Sequence, residues 1–532
     1  MLFSSISSVY LFLQIAVALN PLAQLSYATY RGTALPNGIT QFLGLRFAAP
    51  PVGNLRFAAP KDPLIEYSIV EADTHGPLCL ATGGGPPTDA NQEDCLFLDV
   101  YAPSNATELS ALPVYFFIQG GGFNGLSNPN LNGSGLITAS GCNIVIVTIN
   151  YRVGVYGFLA GEELAKAGSY NNGLKDQRKA LEWIQKHISK FGGNPNHVVV
   201  GGDSAGAASI NLQLTAYGGR DDKLFHATAA ESQSFAAVRS VSESQYQYDS
   251  LVIKTGCISA NDTLACLRGV NATIMQQQSY PFAFPGASAA PLYMWGPTLD
   301  NDFIKELTYA AYADGKFVQL PAIYGDVTNE GTIFAYRNTS SIAESDGFLK
   351  NQFPWFTLKQ LAKVNSLYPL AEQFNGSGAY WRQLSNAYGE IRYICPGIFI
   401  SGIYAKLGIK NNYNYHWDVI DPTSEASGLG VTHTVELNAI WGPQYTKAAP
   451  ASYNTTNAAI GPVVQAYWTS FIRSFDPNTY RLPGTPSWDA WTKNDSYQRL
   501  YFQTNNTHME AVPADQQDRC KYLSSIGVAL RQ

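Results

Sequence analysis

Short runs of apolar, β-branched residues recur along the chain, and longer amphipathic stretches separate them. The runs fall at residues 114–118, 144–149, 198–200 and 321–324, and residues 174–191 form the clearest helical stretch. Runs of this length without polar alternation are typical of strands buried on both faces. Their alternation with helices predicts an α/β fold, in which a mostly parallel central sheet is covered by helices on both faces. In such sheets, reactive residues lie on loops at the carboxyl ends of the strands.

The amino-terminal residues contain an apolar run at positions 9–19 with a single polar interruption. The run is too short to span a bilayer, and Ala16 and Ala18 are small residues of the kind that signal peptidase accepts. We therefore expect a signal peptide at residues 1–18, and an uncleaved anchor or a buried amino-terminal helix is the alternative. Because no linker, charge run or repeat divides the remainder, we expect one catalytic domain at residues 19–532.

The composition agrees with a secreted globular protein. The 532 residues are 45% hydrophobic and 14% charged, and 40 acidic against 34 basic residues leave a net charge of −6. Lys and Arg are not clustered, which argues against nucleic acid as a partner. Asn-x-Ser/Thr sequons recur along the chain, as expected for glycosylation in the secretory pathway. They begin at Asn105, Asn132, Asn261, Asn271, Asn338, Asn375, Asn454, Asn494 and Asn505.

Seven cysteines also fit an oxidising compartment, where disulfides form. Cys79 with Cys95 and Cys257 with Cys266 are close enough along the chain to close small loops, although the residues alone do not fix the connectivity. The odd count leaves one thiol free. Cys142 opens a strand-like apolar run, so we expect it to be a buried, inert core thiol. No CxxC pair indicates zinc, and we expect neither a metal nor a cofactor.

The strongest motif is VVVGGDSAGAAS, in which three valines lead into Gly202, Asp203, Ser204, Ala205 and Gly206. A G-x-S-x-G sequence between a strand and a helix predicts a nucleophile elbow, a tight turn that presents the serine hydroxyl. Glycines flank the serine because a Cβ on either side would collide with neighbouring backbone. Ser204 is therefore the predicted nucleophile.

A serine nucleophile needs a base that takes its proton and a carboxylate that orients the base. His226, His416, His433 and His508 follow Ser204 in the chain. The segment around His416 has a strand-like aromatic alternation, and His508 lies in polar sequence beside a sequon. His433 follows a glycine-rich loop, which favours it as the base.

The segments that follow two of the predicted strands supply the candidates for the acid and for the oxyanion hole. The run PAIYG leads into DVTNEGT, which offers Asp326 and Glu330, and spacing alone leaves both open. Backbone N–H groups must stabilise the oxyanion of the hydrolytic intermediate. Gly121 and Gly122, in the GGG run after VYFFIQ, and Ala205, directly after the nucleophile, are the predicted donors.

Five segments follow one another in order, and the last contains the elbow: GLRFAAPPVGNLRF, EDCLFLDVYAP, NYRVGVYGFL, NNGLKDQRKALEWI and FGGNPNHVVVGGDSAG. Together they resemble the type-B carboxylesterase/lipase family, which includes cholinesterases and secreted fungal lipases. The resemblance implies an α/β-hydrolase fold and a serine carboxylic ester hydrolase. It implies Glu330 in NEGT as the triad acid, His433 in GVTHTVEL as the base and Glu436 as a structural acid. Ser232 in ESQSF resembles the supporting serine of the family, and Asp203 stands where many relatives have glutamate.

The resemblance also implies three disulfides, Cys79–Cys95, Cys257–Cys266 and Cys395–Cys520. Cholinesterases place a tryptophan inside the first disulfide loop to bind a quaternary ammonium group, and the large fungal lipases place a long amphipathic lid there. Here the loop is short, Gly/Pro-rich and without an aromatic residue. We therefore expect a carboxylesterase on short- to medium-chain or small-molecule esters, without strong interfacial activation.

Three alternatives remain open from the sequence. The first is a lipase or sterol esterase on long-chain esters, and the second is an ester- or lactone-processing enzyme of a secondary-metabolite pathway. The third is a non-catalytic adhesion protein, which the intact Ser204, Glu330 and His433 argue against. The segments at residues 280–295 and 352–358 are aromatic and either face the substrate pocket or belong to ordinary packing. The sequence does not indicate an oligomeric state.

Overall fold

The computed structural model describes residues 21–492 and 496–532. An 11-stranded sheet forms its centre, and its spatial order is β11-β10-β9-β8-β7-β6-β4-β5-β3-β2-β1. In chain order the strands are β1 (Thr33–Ala34), β2 (Ile39–Arg46), β3 (Phe97–Pro103), β4 (Leu112–Ile118), β5 (Val145–Ile149), β6 (Gly193–Asp203), β7 (Ala227–Glu231), β8 (Ala322–Val327), β9 (Asn412–Trp417), β10 (Gln498–Phe502) and β11 (His508–Ala511).

The middle of the sheet is parallel and its edges are antiparallel. Strands β5, β4, β6, β7, β8, β9 and β10 pair in parallel, while β3, β2 and β1 on one side and β11 on the other pair antiparallel. The predicted strands coincide with β4, β5, β6 and β8. The carboxyl ends of the parallel strands therefore meet along one edge, as the prediction of a mostly parallel sheet requires.

Both faces of the sheet are buried, which explains the unbroken apolar runs. In β4, Val114, Phe116 and Ile118 belong to one hydrophobic core, and Tyr115 and Phe117 belong to the core on the opposite face. Successive side chains of a strand point to opposite faces, so a strand covered on both sides needs apolar residues at every position.

Helices cover the two faces. In chain order they are α1 (Ser134–Ala139), α2 (Gly154–Phe158), α3 (Leu164–Ala167), α4 (Asn172–His187), α5 (Ala205–Leu214), α6 (Ala216–Gly219), α7 (Val241–Lys254), α8 (Thr263–Gly269), α9 (Ala272–Gln278), α10 (Thr308–Ala313), α11 (Ile342–Gln352), α12 (Leu358–Leu367), α13 (Trp381–Gly389), α14 (Cys395–Lys406), α15 (Pro422–Ala426), α16 (Leu437–Trp441), α17 (Ile460–Ser474) and α18 (Ala514–Gly527). The predicted helix at 174–191 is α4 followed by a 3-10 turn at Ile188–Phe191.

Smaller sheets lie outside the central one. One pairs Leu22–Gln24, Thr29–Arg31 and Ile69–Glu71, and two-stranded sheets pair Leu78–Cys79 with Asn91–Gln92 and Arg239–Ser240 with Thr298–Leu299. No helix in the described ranges is both long and apolar enough to cross a membrane.

The cysteines pair as the family resemblance implies. Disulfides join Cys79 to Cys95, Cys257 to Cys266 and Cys395 to Cys520.

The expectation of a buried thiol at Cys142 is wrong. Its side chain is exposed, because the residue lies in a turn with a φ of 60°. Strand β5 begins only at Val145, so the apolar run starts after the cysteine rather than at it.

The sequons lie mostly on the surface. Asn105, Asn261, Asn271, Asn338, Asn375, Asn454 and Asn505 are exposed, and Asn132 is half-buried. Asn494 and the expected signal peptide lie outside the described residues.

Candidate active site

Ser204 stands at the end of β6, directly before α5, in a backbone conformation with φ 54° and ψ −116°. A left-handed φ is strained for a serine and persists only where the surroundings enforce it. A Cβ at Gly206 would overlap the carbonyl oxygen of Ile118, and one at Gly202 would lie 2.8 Å from that oxygen. The tight approach of the elbow to β4 therefore requires both glycines.

The glycine loop after β4 packs directly on Ser204. A Cβ at Gly120 would lie 2.8 Å from the Ser204 Cβ, and Gly121 and Gly122 have φ of +115° and +62°. Within the described residues, the backbone N–H groups of Gly121, Gly122 and Ala205 donate no hydrogen bond. Three unpaired donors are thus collected beside the serine.

Asp203, the neighbour of the serine, holds the glycine loop in place. Its Oδ1 accepts a hydrogen bond from the Gly120 N–H at 2.8 Å, and its Oδ2 accepts one from the Asn128 side chain at 3.1 Å. Burial raises the pKa of Asp203 to about 6, while these hydrogen bonds and the nearby His433 act in the opposite direction. At neutral pH the side chain is therefore a carboxylate, the form that accepts both bonds.

Glu330 lies against His433, as the family pattern implies. The imidazole Nδ1 is hydrogen-bonded to Glu330 Oε2, and Glu330 Oε1 accepts the Val327 N–H at 2.9 Å. The other candidate, Asp326, lies within β8 and has no hydrogen bond to His433, and its Oδ1 has no partner in the described chain. Burial raises the pKa of Asp326 well above its usual range, with Glu330 acting in the same direction.

Two aromatic rings fix the imidazole from the sides. The centroids of Phe334 and Tyr393 lie 5.0 Å and 4.5 Å from that of His433. The imidazole is buried, and its Nε2 has no hydrogen-bond partner among the described residues. With Nδ1 engaged by Glu330, Nε2 is the nitrogen left to accept a proton.

The loops that carry the acid and the histidine are joined to each other. Asn329 donates its N–H to the Val431 carbonyl at 3.0 Å, and its side chain accepts the Val431 N–H at 2.9 Å. These two bonds place the Glu330 backbone beside the His433 backbone, so the pair does not depend on side-chain contacts alone.

Ser232 and Glu436 lie behind the histidine loop. Ser232 Oγ accepts the Thr434 N–H at 3.0 Å and donates to Glu436 Oε1 at 2.9 Å. Glu436 Oε1 also accepts the Tyr415 hydroxyl at 3.1 Å. The serine thereby connects the buried carboxyl group of Glu436 to the residue that follows His433.

The remaining histidines have structural partners elsewhere. His416 lies in β9 and pairs with Glu510 at 2.8 Å, and His508 is exposed in β11. His226 Nδ1 accepts the Val198 N–H at 3.2 Å, in the middle of β6.

Several side chains of the site have no sequence signal. Asn128, Phe334 and Tyr393 come from separate loops and helices, and none belongs to a recognisable motif. Tyr293, in the aromatic segment at 280–295, packs on Gly122, since a Cβ there would overlap its ring. Only the fold brings these residues to the site.

Among the described residues, one group of side chains has its ligand atoms close enough together to hold a metal ion: Glu390, Cys395 and Cys520. The two sulfurs are joined in a disulfide, so they are not available as thiolate ligands.

The loop closed by Cys79–Cys95 is hydrogen-bonded to neighbouring segments near its start, at Ala81 and Thr82. The Thr82 N–H donates to the Asn124 carbonyl at 2.7 Å, and the Gln276 side chain donates to the Ala81 carbonyl at 3.0 Å. Asn124 in turn donates to Gly122 at 2.8 Å and to Trp295 at 2.6 Å. The loop is thus bonded to the glycine loop.

Comparison with known proteins places this geometry in a family. The sequence profile of the Carboxylesterase family matches residues 20–522. Secreted lipase 4 of Gibberella zeae is 27% identical over 495 residues, which cover 90% of this chain and 86% of that protein. Lipase 4 of Diutina rugosa is 30% identical over 512 residues, which cover 87% and 88%. The crystal structure of EstA from Aspergillus niger superposes with a TM-score of 0.94 at 41% identity, covering 96% of this chain and 99% of EstA. The chain therefore has the α/β-hydrolase fold, belongs to the carboxylesterase family and is a carboxylic ester hydrolase.

Proposed function

We propose that the protein cleaves esters through an acyl-enzyme on Ser204, with His433 as the base and Glu330 as the acid. The observation that carries this proposal is the hydrogen-bonded pair of Glu330 and His433, which leaves Nε2 buried and unpaired in the described chain. A strained serine and unpaired backbone donors lie at the same edge of the sheet. These are the parts that acyl transfer to a serine needs.

In the first step, Ser204 Oγ attacks the ester carbonyl carbon while His433 Nε2 takes the hydroxyl proton. The N–H groups of Gly121, Gly122 and Ala205 stabilise the resulting oxyanion. Each such donor is worth roughly 3 kcal/mol in other serine hydrolases. The Glu330 carboxylate stabilises the imidazolium that forms.

In the second step, the bond from the carbonyl carbon to the alcohol oxygen breaks, and His433 gives its proton to the departing alcohol. Water then attacks the acyl-enzyme while His433 takes a proton from it. The acid product leaves, and Ser204 recovers its hydroxyl proton. Asp203 keeps the glycine loop against the serine through both steps, because it accepts the Gly120 N–H.

For the substrate, we propose short- to medium-chain or small-molecule esters. The supporting observation is the disulfide loop of Cys79 and Cys95, whose base is bonded to Asn124 and Gln276. A short loop held in this way gives little room for the large lid movement on which interfacial activation depends. The curated relatives named lipases favour long-chain esters as the second candidate.

We also propose that the protein is secreted, with residues 1–18 as a signal peptide and 19–532 as one catalytic domain. Exposed sequons such as Asn261 and Asn375 support glycosylation on the way out of the cell. Relatives from Gibberella zeae and Botryotinia fuckeliana are named secreted lipases.

Hydrolysis of p-nitrophenyl esters from acetate to palmitate tests the proposal. We expect the highest kcat/KM at short chains and a loss of at least 10³-fold in Ser204→Ala, which lacks the nucleophile. Ser427→Ala, at an exposed serine whose hydroxyl bonds only the nearby Ser424 carbonyl, is the matched control. Equal activity in the Ser204→Ala variant would contradict the acyl-enzyme, and a maximum at palmitate would favour the lipase alternative.

A further inference from the structure

A small cavity lies beside the glycine loop and contains two arginines. Its walls include Gly122, Arg239, Tyr293, Gln352, Tyr388 and Arg392. The cavity volume of about 20 Å³ accommodates about one water-sized group. It therefore has room for an oxygen of a carboxylate and is too small for an alkyl chain.

Both arginines are buried without an anionic partner. Arg239 and Arg392 are 5% and 8% exposed. Arg239 Nη1 donates to the Met294 carbonyl at 3.0 Å, while the Nε atoms of both residues have no hydrogen-bond partner among the described residues. Nor does either guanidinium lie within 4.0 Å of a carboxylate oxygen of the described chain.

An unpaired buried guanidinium is costly, because burial removes its hydration and an arginine does not lose its charge. Burial lowers the pKa of Arg239, and the nearby Arg392 acts in the same direction, whereas Tyr246 and Glu243 act in the opposite one. Gln352 adds another donor, since its Nε2 has no partner within the described residues. The wall thus collects positive charge and three N–H donors without an acceptor among the described residues, at both arginine Nε atoms and Gln352 Nε2. The arginines keep one other partner each, the Met294 carbonyl for Arg239 and the Tyr393 hydroxyl for Arg392.

The cavity adjoins the catalytic groups on two sides. Its wall residue Gly122 belongs to the proposed oxyanion hole. Tyr293, on the same wall, has its ring centroid 6.4 Å from that of Phe334, whose ring lies 5.0 Å from His433. The cavity therefore shares one wall, at Gly122, with the proposed oxyanion hole.

We propose that Arg239 and Arg392 form a subsite for a carboxylate carried by the substrate, so that the enzyme prefers esters with a free acid group. This inference rests on the proposed function and specifies its substrate class. Arginines bind carboxylates with charge-assisted, often bidentate hydrogen bonds, and the low dielectric of a buried cavity strengthens them. The carboxylate belongs to either the acyl or the alcohol part of the ester.

Matched pairs of esters distinguish the two parts. For the acyl side, monoethyl succinate, glutarate and adipate are compared with ethyl esters of neutral fatty acids of equal length. For the alcohol side, 4-butyryloxybenzoate is compared with 4-butyryloxybenzamide. We expect kcat/KM to be at least 10-fold higher for the acid member of one pair. No preference for an acid in any pair would overturn the inference.

The variants Arg239→Gln and Arg392→Gln assign the preference to the cavity. Each is expected to lower kcat/KM for the acid ester 10- to 100-fold and to change that for the neutral ester less than about 3-fold. Arg239→Lys keeps the charge in case the glutamine variant fails to fold, and it should retain part of the preference. Arg473→Gln removes a positive charge from α17, away from the cavity, and should leave the preference intact. A preference that survives the loss of both cavity arginines would contradict the subsite.

Binding separates this inference from the hydrolytic mechanism. Calorimetric titration of Ser204→Ala with the preferred acid ester measures the subsite without turnover. We expect binding that Arg239→Gln weakens at least 10-fold in the Ser204→Ala background. If no ester is hydrolysed but this binding remains, the proposed function fails and the subsite stands. If hydrolysis proceeds while the acid ester binds no better than its neutral partner, the subsite fails alone.

Discussion

Ser232 links a buried glutamate, Glu436, to the loop that carries His433. Its hydroxyl accepts the Thr434 N–H and donates to Glu436, and its φ of 46° shows a strained backbone. A supporting hydroxyl of this kind orients a catalytic group without touching the substrate.

Replacement of Ser232 by alanine tests that role. We expect Ser232→Ala to lower kcat about 10- to 100-fold with little change in KM, because the His433 loop loses a fixed backbone bond while the pocket is untouched. Steady-state kinetics on p-nitrophenyl butyrate well below the unfolding temperature measure both constants. Ser427→Ala is the control, and a rise in KM alone would contradict the assignment.

Glu231, next to Ser232, is a buried acid held by neutral donors. Its Oε1 accepts the Tyr115 hydroxyl and the Trp468 N–H, both at 2.9 Å, and Oε2 has no partner among the described residues. Burial raises the pKa of Glu231 from 4.5 to about 8. The folded protein therefore keeps a proton that the unfolded chain loses, and the free energy of unfolding falls as pH rises from 4.5 to about 8.

The variant Glu231→Gln should abolish this fall, since an amide of the same shape does not ionise. We expect it to be more stable than the original protein by about 4 to 5 kcal/mol at pH 8.5 and by about 1 kcal/mol or less at pH 5. Urea unfolding at the two pH values checks this. Asp73→Asn, at an exposed acid, controls for net charge, and parallel pH profiles of Glu231→Gln and the original protein would contradict the prediction.

At the scale of elements, the elbow depends on how closely α5 approaches β4. Gly206 lies in the first turn of α5, and a Cβ there would overlap the Ile118 carbonyl. This close approach determines how the backbone passes from β6 into α5. It thereby also determines the direction of the Ser204 side chain.

Gly206→Ala should therefore separate α5 from β4 and remove activity. We expect the free energy of unfolding to fall by about 2 kcal/mol or more, because the overlap involves backbone that cannot move aside. Gly347→Ala, in α11, is the matched control: its added Cβ meets no atom within 4 Å, and alanine should raise stability by about 0.5–1 kcal/mol. Thermal melts and ester hydrolysis of both variants distinguish the two, and an active Gly206→Ala variant would be contrary to this account.

The sequence predicts those parts of the site that a local backbone conformation requires. The elbow at Ser204 and the glycines at Gly121 and Gly122 are visible as motifs because only certain residues adopt these turns. Arg239 and Arg392 are not visible, since they meet only after separate loops and helices pack together. The error at Cys142 has the same origin: composition locates the strand, but hydrogen bonding decides where it begins.

At the scale of the whole molecule, the disulfide Cys395–Cys520 joins α14 to α18. It closes a loop with a sequence separation of 125, whereas Cys257–Cys266 has a separation of 9. The chain-entropy account assigns the long loop about 5 kcal/mol and the short one about 2.5 kcal/mol, because closing a longer loop restricts the unfolded chain more.

Removal of the two bridges should differ accordingly. We expect the double variant Cys395→Ser/Cys520→Ser to lose more stability than Cys257→Ser/Cys266→Ser, by about 2 kcal/mol. Urea unfolding and half-lives of activity at elevated temperature measure the difference. Equal losses of stability would contradict this expectation. They would show that strain in the folded protein or residual structure in the unfolded chain outweighs the effect of loop length.

The disulfide Cys395–Cys520 also affects the order in which parts of the chain are fixed during synthesis. Arg392 lies just before Cys395, and the partner cysteine, Cys520, follows Cys395 by 125 positions in the chain. Because synthesis starts at the amino terminus, Cys395 in α14 stays a free thiol until α18 has been made, and only then is the segment that bears Arg392 joined to that helix. A chain cut short before position 520 would carry an intact nucleophile elbow but an unpaired Cys395, whose free thiol can attack other disulfides.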